Sequence, residues 1–150
     1  MASDGETVLK SVVTDKYVRP IQNARLSPDG KGDPIMYLEK ATSTPATYHI
    51  KCHETKKYWQ VKSGSDPWIT ADADETNESQ RSSACTLFRI DSFAATPATT
   101  TPAGKTVRLR HDYLQTYVSL CQVGDGYCLR ASSKDTSNDS KDVFVCEKVK

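Results

Sequence analysis

The sequence contains no apolar run long enough to cross a bilayer, which takes about 18 consecutive apolar residues. Near Met1 it lacks the basic segment and apolar segment of a secretory signal. No run of Lys or Arg exceeds two residues, and 20 basic side chains stand against 19 acidic ones. These absences predict a cytoplasmic or nucleocytoplasmic protein, without membrane insertion and without a nucleic acid partner.

Cysteine occurs five times, but no two cysteines form a CxxC pair. The odd number and the irregular spacing argue against a disulfide framework and against a zinc site. We therefore expect reduced thiols, no bound metal and no other cofactor at Cys52, Cys85, Cys121, Cys128 and Cys146.

Helical periodicity is almost absent, whereas short alternating runs rich in Val, Ile, Tyr and Thr recur throughout the chain. This pattern predicts an all-β fold. Turn-forming clusters such as Ser63-Gly64-Ser65-Asp66-Pro67 separate the runs. The length of 150 residues favours one domain over residues 1–150. Residues 94–104, rich in Thr, Ala and Pro, are predicted to be a surface loop.

An internal repeat is the most informative feature of the sequence. In three segments an aliphatic residue precedes a basic residue by one position and a tyrosine by eight. Eight residues suit a strand, a short turn and a returning strand, so each segment is predicted to open with a hairpin. The aliphatic and tyrosine pairs are Leu9 with Tyr17, Ile50 with Tyr58, and Leu109 with Tyr117.

Each segment also ends in a strand that centres an aromatic residue among aliphatic ones, and these closing strands are predicted to begin at Ile35, Leu87 and Val143. Two segments carry a further strand around Ile69 and Leu129. The first segment offers only Leu26 at that place. Four strands in each of three units, approximately 7–40, 47–93 and 105–150, predict a β-trefoil with pseudo-threefold symmetry. A β-sandwich with accidental tyrosine spacing is the alternative.

Four stretches then resemble the agglutinin domain of the amaranthin-type plant lectins, in a single-domain version. They are Tyr48 to Trp59, Trp68-Ile-Thr-Ala, Asp74 to Ser79, and Ala84 to Phe88, and Asp142-Val-Phe is similar as well. The resemblance runs from Thr7 onward. It implies a β-trefoil that binds glycans or glycoproteins carrying GalNAc or galactose-β1,3-GalNAc.

Two departures from the family pattern affect this expectation. The family pattern in amaranthin is two such domains in tandem, with a shallow sugar site where domains of two subunits meet. The resemblance therefore implies that a comparable site in this chain requires a homodimer. The residues before the Trp-Ile-Thr strand also differ, because Ser65-Asp66-Pro67 stands where amaranthin's own first domain has another tripeptide.

Sugar recognition needs a flat aromatic ring and a few convergent polar groups. Asp66 and Trp68 offer both within three residues, and Ser65 and Pro67 complete this candidate loop. Asp125 and Tyr127 lie at the matching place in the third unit and form a second candidate loop. The alternative is structural: Trp68 and Tyr127 begin half-buried strands, and Asp66 caps a turn.

No catalytic arrangement is expected. His49, His53 and His111 are interpreted as surface or turn residues, and no ordered set of metal ligands accompanies them. The acidic run from Asp72 to Glu78 lacks the pattern of a calcium loop and is predicted to be a solvated hairpin tip.

Two further hypotheses stay open beside the lectin. β-Trefoils also serve as protein-interaction modules without sugar binding. Agglutinin domains also resemble parts of larger pore-forming toxins, although this chain has no second β-rich segment to form a pore.

Overall fold

A computed structural model describes residues 6–21, 24–28, 33–42, 47–62, 67–78, 85–92, 105–124, 126–134 and 141–148. The all-β prediction is confirmed, and no helix among these residues is long and apolar enough to span a membrane. The strands are β1 (Glu6–Ser11), β2 (Arg19–Pro20), β3 (Leu26–Ser27), β4 (Met36–Lys40), β5 (Thr47–Cys52), β6 (Tyr58–Val61), β7 (Ile69–Ala73), β8 (Phe88–Ser92), β9 (Lys105–His111), β10 (Thr116–Val123), β11 (Gly126–Ser133) and β12 (Phe144–Lys148).

Six of these strands close into an antiparallel barrel. The order of hydrogen-bonded neighbours is β1-β4-β5-β8-β9-β12, and β12 pairs back onto β1. Closure gives each of the six a neighbour on both sides. Strand β1 illustrates the sequence requirement, because Thr7, Leu9 and Ser11 are buried and the residues between them are not.

The remaining six strands form three hairpins, β2-β3, β6-β7 and β10-β11. The second strands of the three hairpins contact one another. Each carries a fully buried aliphatic residue at the equivalent position, namely Leu26, Ile69 and Leu129. The flanking residues form bridges between these strands. Arg25, before Leu26, pairs with Thr70, after Ile69, and Trp68, before Ile69, pairs with Arg130, after Leu129. A closed barrel with three mutually paired hairpins is the arrangement of a β-trefoil.

The repeat that the sequence revealed has a structural counterpart in cross-strand pairs. The basic residue and the tyrosine of each segment lie directly opposite one another, and the cation lies 5.3 to 5.8 Å from the centre of the ring. Such cation–π contacts contribute about 0.5–1 kcal/mol at exposed sites. The pairs are Lys10 with Tyr17, Lys51 with Tyr58, and Arg110 with Tyr117.

The turns between these pairs also agree in backbone conformation. One residue in each turn has a left-handed φ of 59° or 60° and donates its N–H to the carbonyl four residues earlier, at 2.8 or 2.9 Å. The left-handed region costs a residue with a Cβ about 1–2 kcal/mol, so three copies of it mark one turn design. The residues are Asp15, Lys56 and Gln115.

Barrel and hairpins share one hydrophobic core. Trp59 of β6 and Phe88 of β8 are both fully buried, and their rings meet edge to face with centres 6.0 Å apart. This contact fixes the β6-β7 hairpin against the barrel, and thereby fixes the position of Trp68 and Asp72.

The prediction that all three histidines lie at the surface or in turns is wrong for two of them. His49 is 3% exposed and His111 is fully buried. Strand alternation does turn His49 away from the barrel interior, but Glu78 and Thr86 of the segment after β7 cover it. The acidic run is therefore not a free hairpin tip along its whole length.

Candidate functional site

A polar face lies on the β6-β7 hairpin, opposite its buried side. Along both strands the buried residues alternate with outward ones, since Trp59, Val61, Ile69 and Ala71 are in the core. The opposite face carries Gln60, Lys62, Trp68, Thr70 and Asp72, of which Thr70 is itself only 5% exposed. An extended hairpin thus brings to one face five side chains that are up to 12 positions apart in the chain.

Cross-strand pairing extends this face onto the neighbouring hairpins. Gln60 lies opposite Thr70 on one side, and Arg25 of the first hairpin pairs with Thr70 on the other. In the next row, Lys62 donates its backbone N–H to the carbonyl of Trp68 at 2.9 Å, and Arg130 pairs with Trp68 from the third hairpin. The face is therefore built by all three hairpins.

Asp72 is held in place by two hydrogen bonds to the same carboxylate oxygen. The Nε2 of Gln60 and the Oγ1 of Thr70 each donate to Oδ1 of Asp72 at 2.8 Å. An ionised carboxylate accepts at both oxygens, so Oδ2 keeps acceptor capacity for a ligand hydroxyl. The side chain is exposed and pre-oriented, which lowers the entropy cost of binding.

Trp68 is half-buried and has two cationic neighbours. The guanidinium carbon of Arg25 lies 4.7 Å from the centre of its ring, and that of Arg130 lies 5.2 Å from it. Guanidinium planes near an indole ring are stabilised by the ring quadrupole, and the ring in turn fixes both arginine side chains. The residue stays half-exposed beside these two donors.

A cavity of about 520 Å³ opens beside this ring. It is half open to solvent, and its size is within the range of small-ligand sites. Its lining combines three hydrogen-bonding types, namely cationic donors, a hydroxyl and a carboxylate. The lining residues are Ala24, Arg25, Lys62, Thr70 and Asp72.

The structure places three of the predicted site residues. Trp68 contacts the lining residue Arg25. Pro67 is buried, and its carbonyl accepts the N–H of Ala131 at 2.9 Å. Tyr127 packs partly against the core, and its carbonyl accepts a hydrogen bond from the Ser27 hydroxyl. Pro67 and Trp68 directly precede β7, and Tyr127 lies in β11. They therefore belong to neighbouring hairpins of the cap, which is the layer formed by the three hairpins.

The other three predicted site residues, Ser65, Asp66 and Asp125, lie outside the described residues. Their proposed part in sugar binding stays a prediction.

Sequence reasoning missed Arg25, Lys62, Thr70 and Asp72. A signal for two of them existed. Thr70 and Asp72 lie two and four positions after Trp68, so strand alternation places all three side chains on the same face. Arg25 also precedes Leu26 as Trp68 precedes Ile69. Aligning the repeat at these aliphatic residues would have placed Arg25 beside the tryptophan.

Two buried thiols are poorly suited to nucleophilic chemistry. Burial raises the pKa of the Cys52 and Cys146 thiols to about 12, so both are protonated at neutral pH and are poor nucleophiles. Within the described ranges, no three His, Cys, Asp or Glu residues form a group that could hold a metal ion.

The family model of the agglutinin domain matches residues 7–147 of the chain. The comparison with curated proteins gives no match.

Among solved structures, a designed threefold-symmetric protein, ThreeFoil, has a TM-score of 0.70 and 12% identity, with 97% of this chain and 100% of that chain covered. SeviL, bound to asialo-GM1 saccharide, has a TM-score of 0.64 and 16% identity, with 99% and 100% covered. The Polyporus squamosus lectin, bound to the epitope Neu5Aca2-6Galb1-4GlcNAc, has a TM-score of 0.69 and 12% identity, with 99% and 50% covered. At these identities the likeness establishes the fold.

Proposed function

Since the chain belongs to the agglutinin domain family, we propose that it is a lectin whose glycan site is the cavity beside Trp68. Agglutinin domains bind carbohydrate without transforming it, so the chain is a carbohydrate-binding protein and not an enzyme. The proposed glycan site lies on the face built by the three hairpins.

The observation that carries this location is the pre-oriented carboxylate of Asp72 beside the half-exposed ring of Trp68. A sugar ring presents an apolar C–H face and a rim of hydroxyls, and it needs a flat aromatic surface and fixed acceptors and donors. Trp68 supplies the surface, Asp72 accepts, and Lys62 donates. Asp72 thus adds an acceptor to the one that the sequence predicts at Asp66.

The saccharide follows from the family resemblance, which implies GalNAc or galactose-β1,3-GalNAc. Three four-stranded units would present related cap surfaces, and the site proposed here is the one between the first and second units. A homodimer would cover part of this shallow face, as the two-domain arrangement of amaranthin suggests. SeviL and the Polyporus squamosus lectin are solved with bound saccharides, which supports a sugar ligand for a chain of this fold.

Two substitutions test the site. Trp68→Ala and Asp72→Ala are each expected to weaken binding to a GalNAc-containing glycan by about tenfold or more, which corresponds to about 1.4 kcal/mol. Tyr113→Ala is the matched control, because Tyr113 is 39% exposed and lies on the turn after β9, outside the cavity lining. A glycan array identifies the ligand, and calorimetric titration measures the affinity.

The outcomes are distinct. Equal binding by the wild type and both variants would place the site elsewhere, and no retention of the wild type on any glycan would overturn the lectin proposal. Circular dichroism checks that Trp68→Ala is folded, and Asp72→Ala changes only an exposed side chain. Size-exclusion chromatography tests the dimer, which would elute at twice the 16.6 kDa mass of one chain.

A further inference from the structure

Three basic side chains meet at the proposed sugar site. Arg25 and Lys62 line the cavity, and Arg130 lies over the ring of Trp68, which Arg25 also contacts. Among the described residues Asp72 is the carboxylate in the lining, so three described positive charges face one described negative charge. This local excess differs from the whole chain, whose formal net charge is only +1.

The basic residues of this cluster differ from others in the chain in their partners. Lys10, Lys57, Arg89 and Arg108 each form an ion pair with a carboxylate. In the described part of the chain, Arg25, Lys62 and Arg130 form none. Their charges are therefore not neutralised by a described neighbour.

The two arginines are also held in position before any ligand arrives. Both guanidinium groups lie within 5.2 Å of the centre of the Trp68 ring. A guanidinium presents donors in a planar fork that matches a carboxylate or a sulfate, and immobilisation by the indole lowers the entropy cost of using it. The half-enclosed cavity also reduces solvent screening relative to an open surface.

We propose that Arg25, Lys62 and Arg130 bind an acidic substituent of the glycan, so that the chain prefers acidic glycans over their neutral parents. This inference rests on the proposed lectin function and specifies its ligand class. The shared chemistry is one anionic group, which can be the carboxylate of a sialic acid or a sulfate ester. Asp72 would contact the hydroxyls of the neutral part, since its carboxylate repels an anion.

The test compares three glycans that share the galactose-β1,3-GalNAc core: unmodified, sialylated and sulfated. The wild type is expected to bind at least one acidic form about tenfold or more tightly than the neutral form, and this ratio should fall as salt is added, because salt screens charge. The two acidic glycans distinguish the two sources of the anion.

Arg25→Gln and Lys62→Gln are each expected to reduce the ratio of acidic to neutral binding towards one. The ratio is taken within each variant, so a loss of affinity common to all three glycans cancels. Lys51→Gln is the control, because it removes the same charge from the base–tyrosine pair of β5, outside the cavity lining. The exposed Lys62 gives a second variant if Arg25→Gln does not fold.

Equal binding of all three glycans by the wild type would overturn the acidic preference and leave the lectin function intact. A preference that survives in both variants would overturn the assignment to this cluster. Absence of binding to every glycan would overturn the lectin function itself.

Discussion

The imidazole of His111 makes two hydrogen bonds that define its protonation state. Its Nε2 lies 3.0 Å from the carbonyl oxygen of Cys85, which can only accept, so Nε2 carries the proton. Its Nδ1 accepts the N–H of Leu114 at 3.1 Å. Burial lowers the pKa of this imidazole, and the neutral form is the one that fits. His111 is therefore a structural residue at the end of β9, where it holds the turn that follows.

His111 should make the fold sensitive to mild acid. Its pKa is lowered in the folded state, so its contribution is complete above the unfolded value of about 6.5 and is lost as the pH falls below it. We expect His111→Gln to lower the free energy of unfolding near neutral pH and to flatten its decrease towards about pH 5. Urea unfolding at several pH values measures both effects.

His53→Gln is the control for that series, since His53 lies in the turn after β5 and is half-buried. It leaves the His111 hydrogen bonds in place, so the part of the pH dependence of the free energy of unfolding that comes from His111 should remain. If the free energy of unfolding of His111→Gln fell with pH as steeply as that of the wild type, His111 would not be the source of the acid sensitivity.

At the scale of one element, the hairpin β5-β6 combines a cation–π pair with a partly buried polar contact. Lys51 lies 5.3 Å from the ring centre of Tyr58, and the Tyr58 hydroxyl donates to Glu39 of β4 at 2.9 Å. Tyr17 donates in the same way to Glu147 of β12 at 3.2 Å. Two of the three repeated tyrosines, Tyr17 and Tyr58, therefore tie the segment that returns from the turn to a neighbouring barrel strand.

Tyr58 should limit stability at high pH. Burial and the nearby Glu39 carboxylate raise the pKa of its phenol from 10.0 to about 12. The unfolded chain ionises first, so this contribution is complete below about pH 10 and is lost as the pH rises through about 12. We expect Tyr58→Phe to be less stable than the wild type at about pH 9 and to lose less stability between about pH 10 and 12.

Denaturant unfolding at the two pH values measures this difference. The buried thiols of Cys52 and Cys146, whose pKa values are also raised to about 12, ionise in the same range in both proteins, so the difference between variant and wild type isolates Tyr58. Tyr113→Phe, at an exposed ring, is the control. Parallel stability curves for Tyr58→Phe and wild type would contradict the proposed link to Glu39.

At the scale of the whole molecule, the three hairpins depend on one another. Ile69 and its equivalents Leu26 and Leu129 are fully buried in the core that barrel and hairpins share. The polar face is built on top of them, because Arg25, Trp68 and Arg130 each adjoin one of these residues in sequence. A change under the cap should therefore affect both the fold and the site.

Leu129→Ala is expected to lower the free energy of unfolding by about 2–5 kcal/mol, through lost burial and the cavity left behind. If residues 1–150 form one domain, Trp fluorescence and circular dichroism should report the same single transition in the variant. Leu114→Ala, at a partly buried position against the same core, should cost less. Separate transitions for the two probes would contradict a single cooperative domain.

The sequence predicted the barrel better than the cap. The closing strands were expected to begin at Ile35, Leu87 and Val143 and begin one residue later, because alternation and aromatic placement locate a barrel strand well. The first hairpin was foreseen only through Leu26, since β2 and β3 have two residues each and show no periodicity. Burial of His49 was missed because it depends on Glu78 and Thr86, which are distant in the chain.

The sequence by itself determined the strand periodicity, the threefold repeat of a base and a tyrosine, and the resemblance that led to a sugar-binding family. These follow from local alternation and fixed spacings, which are properties of the chain order. Only the tertiary structure decided which side chains form the candidate site. Arg25, Trp68, Asp72 and Arg130 come from three hairpins, and only the packing of those hairpins on a shared core brings their cations and carboxylate together beside one indole ring.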